Sequence, residues 1–192
     1  MANYTGGNAA VFEIASNGSL AKRTYLMNHT GTGPNSQRQE GPHAHSINLS
    51  DDNQFAYIAD LGTDRIEIYS FDAERGILVP SPVPSPQVNP GGGPRHFSIH
   101  PSGRFAYSNN ELTAEVVAWR RSPENGGLKL LQTASTLPGD FDGRRSTAEC
   151  LVHPNGRFVY VSNRGHDSIA AYRISSDDGR VSLIEIQKTG GE

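Results

Sequence analysis

The sequence predicts an all-β protein, an arc of four-stranded antiparallel blades of the β-propeller type, and three observations carry that expectation. The first is repetition. Asp51-Asp52-Asn53-Gln54-Phe55-Ala56-Tyr57, Pro101-Ser102-Gly103-Arg104-Phe105-Ala106-Tyr107 and Pro154-Asn155-Gly156-Arg157-Phe158-Val159-Tyr160 share one pattern, with the phenylalanines 50 and 53 positions apart. A period of about 50 belongs to propeller blades rather than to helical repeats of about 33 to 47 residues. The second is punctuation: 21 Gly and 12 Pro with few long apolar runs favour short strands and many turns. The third is the lack of helical periodicity over any window of about eleven residues.

Each unit reads as a meander. An apolar strand comes first (Ser46 to Leu49, His96 to Ile99, Glu149 to Val152), then a polar turn. The second strand is aromatic and β-branched (Phe55 to Ala59, Phe105 to Asn109, Phe158 to Ser162). The third alternates apolar and polar residues, most clearly in Arg65-Ile66-Glu67-Ile68-Tyr69. After a Gly turn a fourth, edge strand is expected near Ile77 to Val79, Leu128 to Gln132 and Val181 to Ile186. Asn3-Tyr4 aligns with Asp60-Leu61, Asn110-Glu111 and Asn163-Arg164, so the chain opens at the end of a second strand, with Ala9 to Ile14 third and Lys22 to Leu26 fourth. The expected units are 1–40 (the end of one blade and an inter-blade loop), 41–92, 93–145 and 146–192. That is about three and a half blades, whereas closed propellers need roughly four to eight. A fragment of a longer protein is the first expectation, and self-association of two such chains into one ring the second.

The formal net charge of −3 points to no nucleic acid and no anionic membrane as partner. No stretch approaches the roughly 20 apolar residues of a membrane span. Met1-Ala2-Asn3-Tyr4-Thr5 has neither the basic nor the apolar region of a signal peptide, and the single Cys150 excludes an internal disulfide; both lead to an expected cytoplasmic location.

In a propeller the first strand of each blade lines the channel, so equivalent positions converge near the axis. His45, Arg95 and Ala148 form one such set, Ser46, His96 and Glu149 a second, and Leu61, Glu111 and Arg164 a third. Ionisable groups of both signs at a channel mouth suit ester or lactone chemistry. They also suit plain ion pairs of Arg95 and Arg164 with Glu111 that tie blades together. His43-Ala44-His45 puts two imidazoles on one strand face, with His96 or Glu149 as a third metal ligand. Only two ligands can be placed, so no metal is expected. Glu149 suits a channel residue and a buried structural acid equally. Gly91-Gly92-Gly93 reads as an inter-blade turn rather than an anion nest, His100 and His153 as turn packing, and Cys150 as no nucleophile beside Glu149.

Four ordered segments are similar to a known family: Gln39-Glu40-Gly41-Pro42-His43-Ala44-His45-Ser46, Gly93-Pro94-Arg95-His96, Asn110-Glu111-Leu112 and Ser162-Asn163-Arg164-Gly165-His166-Asp167-Ser168-Ile169. Together they resemble the lactonase propellers, which include bacterial 6-phosphogluconolactonases and the fungal carboxy-cis,cis-muconate cyclase. The resemblance runs over essentially the whole chain. It implies a seven-bladed parent and hydrolysis of a small anionic sugar-acid lactone, such as 6-phosphogluconolactone, without a cofactor. It also implies a site of His45, Arg95, Glu111 and Arg164; His43, His96, Glu149, Asn163 and His166 are expected as further substrate contacts. A neutral His45 would serve as general base and the two arginines as anion clamps. Glu111 would orient the imidazole, pair with an arginine, or itself be the base. Muconate cyclisation within the same family and a non-enzymatic binding propeller stand as alternatives.

Overall fold

The second-strand segments Phe55-Ala56-Tyr57-Ile58-Ala59-Asp60 and Phe105-Ala106-Tyr107-Ser108-Asn109-Asn110 are buried along their whole length. Side chains of a strand alternate between two faces, so burial at every position means that both faces of the sheet are covered. The computed structural model, which describes residues 1–191, shows what covers them. Four antiparallel sheets stand side by side. The first has three strands, β1 (Ala2–Asn3), β2 (Asn8–Ile14) and β3 (Leu20–Asn28). The second comprises β4 (Ala44–Leu49), β5 (Phe55–Asp60), β6 (Arg65–Asp72) and β7 (Ile77–Pro80). The third comprises β8 (Pro94–Ile99), β9 (Phe105–Asn110), β10 (Glu115–Arg121) and β11 (Leu128–Ser135). The fourth comprises β12 (Ser146–Val152), β13 (Phe158–Arg164), β14 (Ser168–Ile174) and β15 (Val181–Lys188). Every sheet is a meander in chain order, as the repeat requires. The outermost strands of the first and third sheets run longer than the expected Lys22 to Leu26 and Leu128 to Gln132.

The cores lie between blades. One cluster joins Phe55, Tyr57 and Ile68 to Phe97, Val117 and Trp119 of the next sheet, and another joins Phe105 and Tyr107 to Val159, Val161 and Tyr172. Polar ties repeat at the same interfaces. The Tyr57 hydroxyl donates to Gly126 O at 3.0 Å, and the equivalent Tyr107 hydroxyl to Gly179 O at 2.8 Å. Each glycine sits in the β-turn of the following blade at positive φ, 72° for Gly126 and 77° for Gly179. A Cβ on Gly126 would lie 2.6 Å from the Phe55 ring, so the position needs glycine both for its backbone and for its neighbour. His100 makes a further tie, with Nε2 2.7 Å from Gly156 O of the next blade.

The glycine run at 91–93 encloses a carboxylate of the chain itself. Asp64 accepts from Gly91 N at 2.7 Å and from Gly93 N at 2.8 Å, and it is buried. The nest is filled from within, which accords with a turn rather than a substrate site.

Candidate functional site

The inner strands β4, β8 and β12 all carry the same irregularity. Register is interrupted between Ala44 and Ser46, between Pro94 and Phe97, and between Thr147 and Cys150, each time with one residue more on the inner strand than on its partner. These are β-bulges, which bend a strand and re-aim a side chain. They fall on His45, on Arg95-His96 and on Ala148-Glu149, the channel positions of the repeat. Side chains of the second strand hold the displaced backbone: His96 N donates to Asn109 Oδ1 at 3.0 Å and Glu149 N to Ser162 Oγ at 2.9 Å.

Glu111, in the turn after β9, is the hub. Its Oε2 accepts from Arg95 Nε at 2.9 Å and its Oε1 from Arg38 Nη2 at 2.7 Å, while Arg164 Nη2 is ion-paired with Oε1 at 3.1 Å without hydrogen-bond geometry. Backbone carbonyls fix two of the arginines, Arg95 Nη1 on Ala148 O at 2.6 Å and Arg164 Nη2 on Thr147 O at 3.0 Å. Burial alone would push the Glu111 carboxyl up, but the Arg38 hydrogen bond and the charges of Arg164, Arg38 and Arg95 together hold it below the ordinary carboxylate range. Three guanidinium groups against one carboxylate leave the site cationic. Of the three roles open to Glu111, the geometry realises pairing with arginine; among the described residues no hydrogen bond joins it to His45, so it does not orient that ring.

His45 lies beside this hub. Its ring is 5.3 Å from that of His96 and meets Tyr4 edge-on at 5.5 Å, and its Nδ1 is buried without a partner. Burial, then the charges of Arg95 and His96, push its pKa down to about 4 against the opposing pull of Glu111. His45 is therefore neutral at pH 7. His96 Nδ1 meets Glu149 Oε1 at 2.7 Å, and the Glu149 side chain is exposed, which removes the reading of a buried structural acid. His43 stacks on Tyr4 with ring centroids 4.4 Å apart and places Nε2 3.2 Å from Glu40 Oε1. His43 precedes β4, and both its ring and that of His45 contact the Tyr4 ring. Among the described residues no group of three His, Cys, Asp or Glu is placed to hold a metal ion.

Two of the expected contacts stand apart from this cluster. Asn163 is buried, with its amide spent on Thr136 O, Ser168 Oγ and Thr136 Oγ1 at 2.9, 3.1 and 2.6 Å. His166 is buried in the following turn, with Nδ1 2.7 Å from Ser168 Oγ and its ring edge-on to Phe141. Asn163 ties β13 to Thr136 beyond the preceding blade, and His166 serves the hairpin. Conversely, two residues of the cluster escaped sequence reasoning. Tyr4 could have been found, because it is the fourth member of the set Leu61, Glu111 and Arg164. Arg38 lies in the irregular loop 29–43 and carried no signal. Gln39 anchors that loop through Nε2 to Leu61 O at 2.8 Å and Asp64 Oδ1 at 2.7 Å, which leaves the neighbouring Arg38 reaching Glu111.

The family model described as "Lactonase, 7-bladed beta-propeller" matches residues 1–192. The chain is 37% identical over 190 residues to the 6-phosphogluconolactonase of Bacillus subtilis, covering 99% of this chain and 53% of the relative. It is 34% identical over 196 residues to the 6-phosphogluconolactonase of Formosa agariphila, covering 100% of this chain and 54% of the relative. Among solved structures, the periplasmic gluconolactonase of Pseudomonas aeruginosa superposes with a TM-score of 0.90 at 29% identity, covering 99% of this chain and 53% of that one. A protein from Lactobacillus plantarum gives 0.91 at 31% identity, with 98% and 53% covered. The chain thus spans about half the length of the relatives it matches.

Proposed function

Since the chain belongs to the family of seven-bladed β-propeller lactonases, we propose that it supplies the catalytic arc of a lactone hydrolase acting on a small anionic sugar-acid lactone, 6-phosphogluconolactone to 6-phosphogluconate. The observation that carries this reading is a cationic cluster, Arg38, Arg95 and Arg164 on Glu111, set beside a neutral histidine.

The chemistry follows from these groups. Water attacks the lactone carbonyl while the neutral His45 imidazole takes its proton. The oxyanion that forms meets Arg95, whose charge is already positioned by Glu111 and Ala148 O and needs little reorganisation. Collapse breaks the ring C–O bond, and the His45 imidazolium returns its proton to the departing ring oxygen. The product carboxylic acid then ionises, releasing one proton to solvent. His43, His96 and Glu149 complete the wall of the site. An imidazole with a pKa near 4 is a weak base in the empty site, but a bound anion offsets the field of Arg95 and strengthens it.

The reading places the protein in the cytoplasm on the free, buried thiol of Cys150. Among the described residues no helix is long and apolar enough to cross a membrane. It also includes self-association, in which two arcs cover each other's open blade faces.

The test is proton release from 6-phosphogluconolactone in a pH-stat, comparing the chain with its His45→Gln variant. Hydrolysis at least a hundredfold slower in the variant is expected, in line with about 10²–10⁴ for general base catalysis. Equal rates in both remove His45 as the base. Binding of the lactone without turnover by either protein favours a non-enzymatic propeller, and turnover of a carboxymuconate alone favours the cyclase.

A further inference from the structure

The three arginines around Glu111 are not equivalent. Arg38 Nη2 donates to Glu111 Oε1, and Arg164 Nη2, held by Thr147 O, lies 3.1 Å from the same oxygen as an ion pair, whereas Arg95 takes the other oxygen. Arg38 and Arg164 are also the open pair, with side chains 37% and 44% exposed against 17% for Arg95. A guanidinium carries five N–H donors. Among the described residues Arg38 uses only Nη2, towards Glu111 and the Tyr4 hydroxyl, and Arg164 only Nη2, towards Glu111 and Thr147 O. Each therefore keeps Nε and Nη1 unengaged on an exposed face. Arg95 is instead spent on two separate anchors, Glu111 and Ala148 O. The charge of Arg95 also acts on His45.

We propose that Arg38 and Arg164 form a subsite for the remote phosphate of the substrate, while Arg95 alone faces the reacting carbonyl. This inference rests on the lactonase reading above and assigns within it a residue, Arg38, that comes from an inter-blade loop rather than from a channel strand. Two guanidinium groups converging on one point offer a phosphate paired, charge-assisted donors, which suits a dianion better than a neutral hydroxymethyl group. The single carboxylate between them aligns the pair without neutralising it. Tyr4, accepting from Arg38 Nη2 at 3.3 Å, sets the angle of the loop arginine. Buried Gln39 holds the backbone next to it, so the side chain need not be ordered on binding.

The experiment uses two products that differ in the phosphate, 6-phosphogluconate and gluconate, titrated calorimetrically into the chain and its variants. The wild-type chain is expected to prefer 6-phosphogluconate at least tenfold. Arg38→Gln should reduce that preference by about tenfold, the equivalent of one charge-assisted contact, with the loss confined to the phosphorylated ligand. Arg38→Lys should recover part of it, and Tyr4→Phe, which leaves Glu111 untouched, should produce a smaller loss of the same sign. An equal loss for both ligands overturns the proposal, since it makes Arg38 a support for Glu111. An unchanged preference, or a wild-type chain that binds neither product, overturns it too. Failure of the lactonase reading is seen separately: phosphate preference governed by Arg38 with no lactone turnover keeps the subsite and removes the enzyme.

Discussion

At Glu111 and His45 the same fold treats two titratable groups in opposite ways. Both are removed from water, and burial disfavours the charged form of each. Glu111 recovers through three arginines and stays anionic, while His45 has Arg95 and His96 for neighbours and stays neutral. Their effects on stability therefore fall in different pH windows. His45 has a lowered pKa, so the unfolded chain binds its proton first, and stability declines as pH falls from about 6.5 towards about 4. Glu111 has a lowered pKa as well, and its ion pairs are lost only when pH falls below the ordinary carboxylate range. The prediction is that His45→Gln flattens the loss of stability between pH 6.5 and 4, measured by urea unfolding at a series of pH values. A slope unchanged by the substitution would show that this ring does not hold its proton-free state at a cost.

The inner-strand bulges explain why alignment alone named the channel positions but not their directions. Repeat spacing marked His45, Arg95 and Glu111 because equivalent residues of stacked blades must converge. It gave no sign of the extra residue on β4, β8 and β12, since a bulge changes pairing and leaves composition untouched. The hairpin glycines were legible as turns, while their contact with the preceding blade was not. Gly126 and Gly18 separate the two effects. Both have positive φ, 72° and 84°, but only Gly126 faces a neighbour, the Phe55 ring, whereas nothing lies within 4 Å of a Cβ on Gly18. Gly18→Ala is expected to cost about 1 kcal/mol from backbone strain alone. Gly126→Ala is expected to cost about 2–3 kcal/mol, because the Phe55 ring must also move. Denaturant midpoints at constant m-value measure both, and equal losses would remove the inter-blade contact from the account.

One repeated tie between blades runs from a second-strand tyrosine to the turn of the following blade. Tyr57 and Tyr107 make that tie; the equivalent Tyr160 lies in the last described sheet, and no described blade follows it. Large apolar side chains are exposed on both outer sheets, Ile14 and Leu20 on the first, Leu151, Leu183 and Ile184 on the last. A hollow of about 390 Å³ lined by Phe12, Ile47 and Phe71 opens beside the first of these. If two arcs close on each other, Tyr160→Phe should weaken the assembly several-fold while Tyr107→Phe destabilises each arc, as light scattering over a concentration series and urea unfolding would read. A monomer at every concentration sinks self-association. The sequence by itself determined the blade architecture, the strand order, the aromatic second strands and three of the four charged residues at the hub, because a repeat displays its period and its side-chain alternation directly. Only the tertiary structure decided that Arg38 joins the hub, that Glu111 serves arginines rather than His45, that Asn163 ties β13 to Thr136, and that His166 belongs to a turn. Those outcomes depend on where an irregular loop and a one-residue bulge carry side chains in space, and neither obeys a period that a sequence can show.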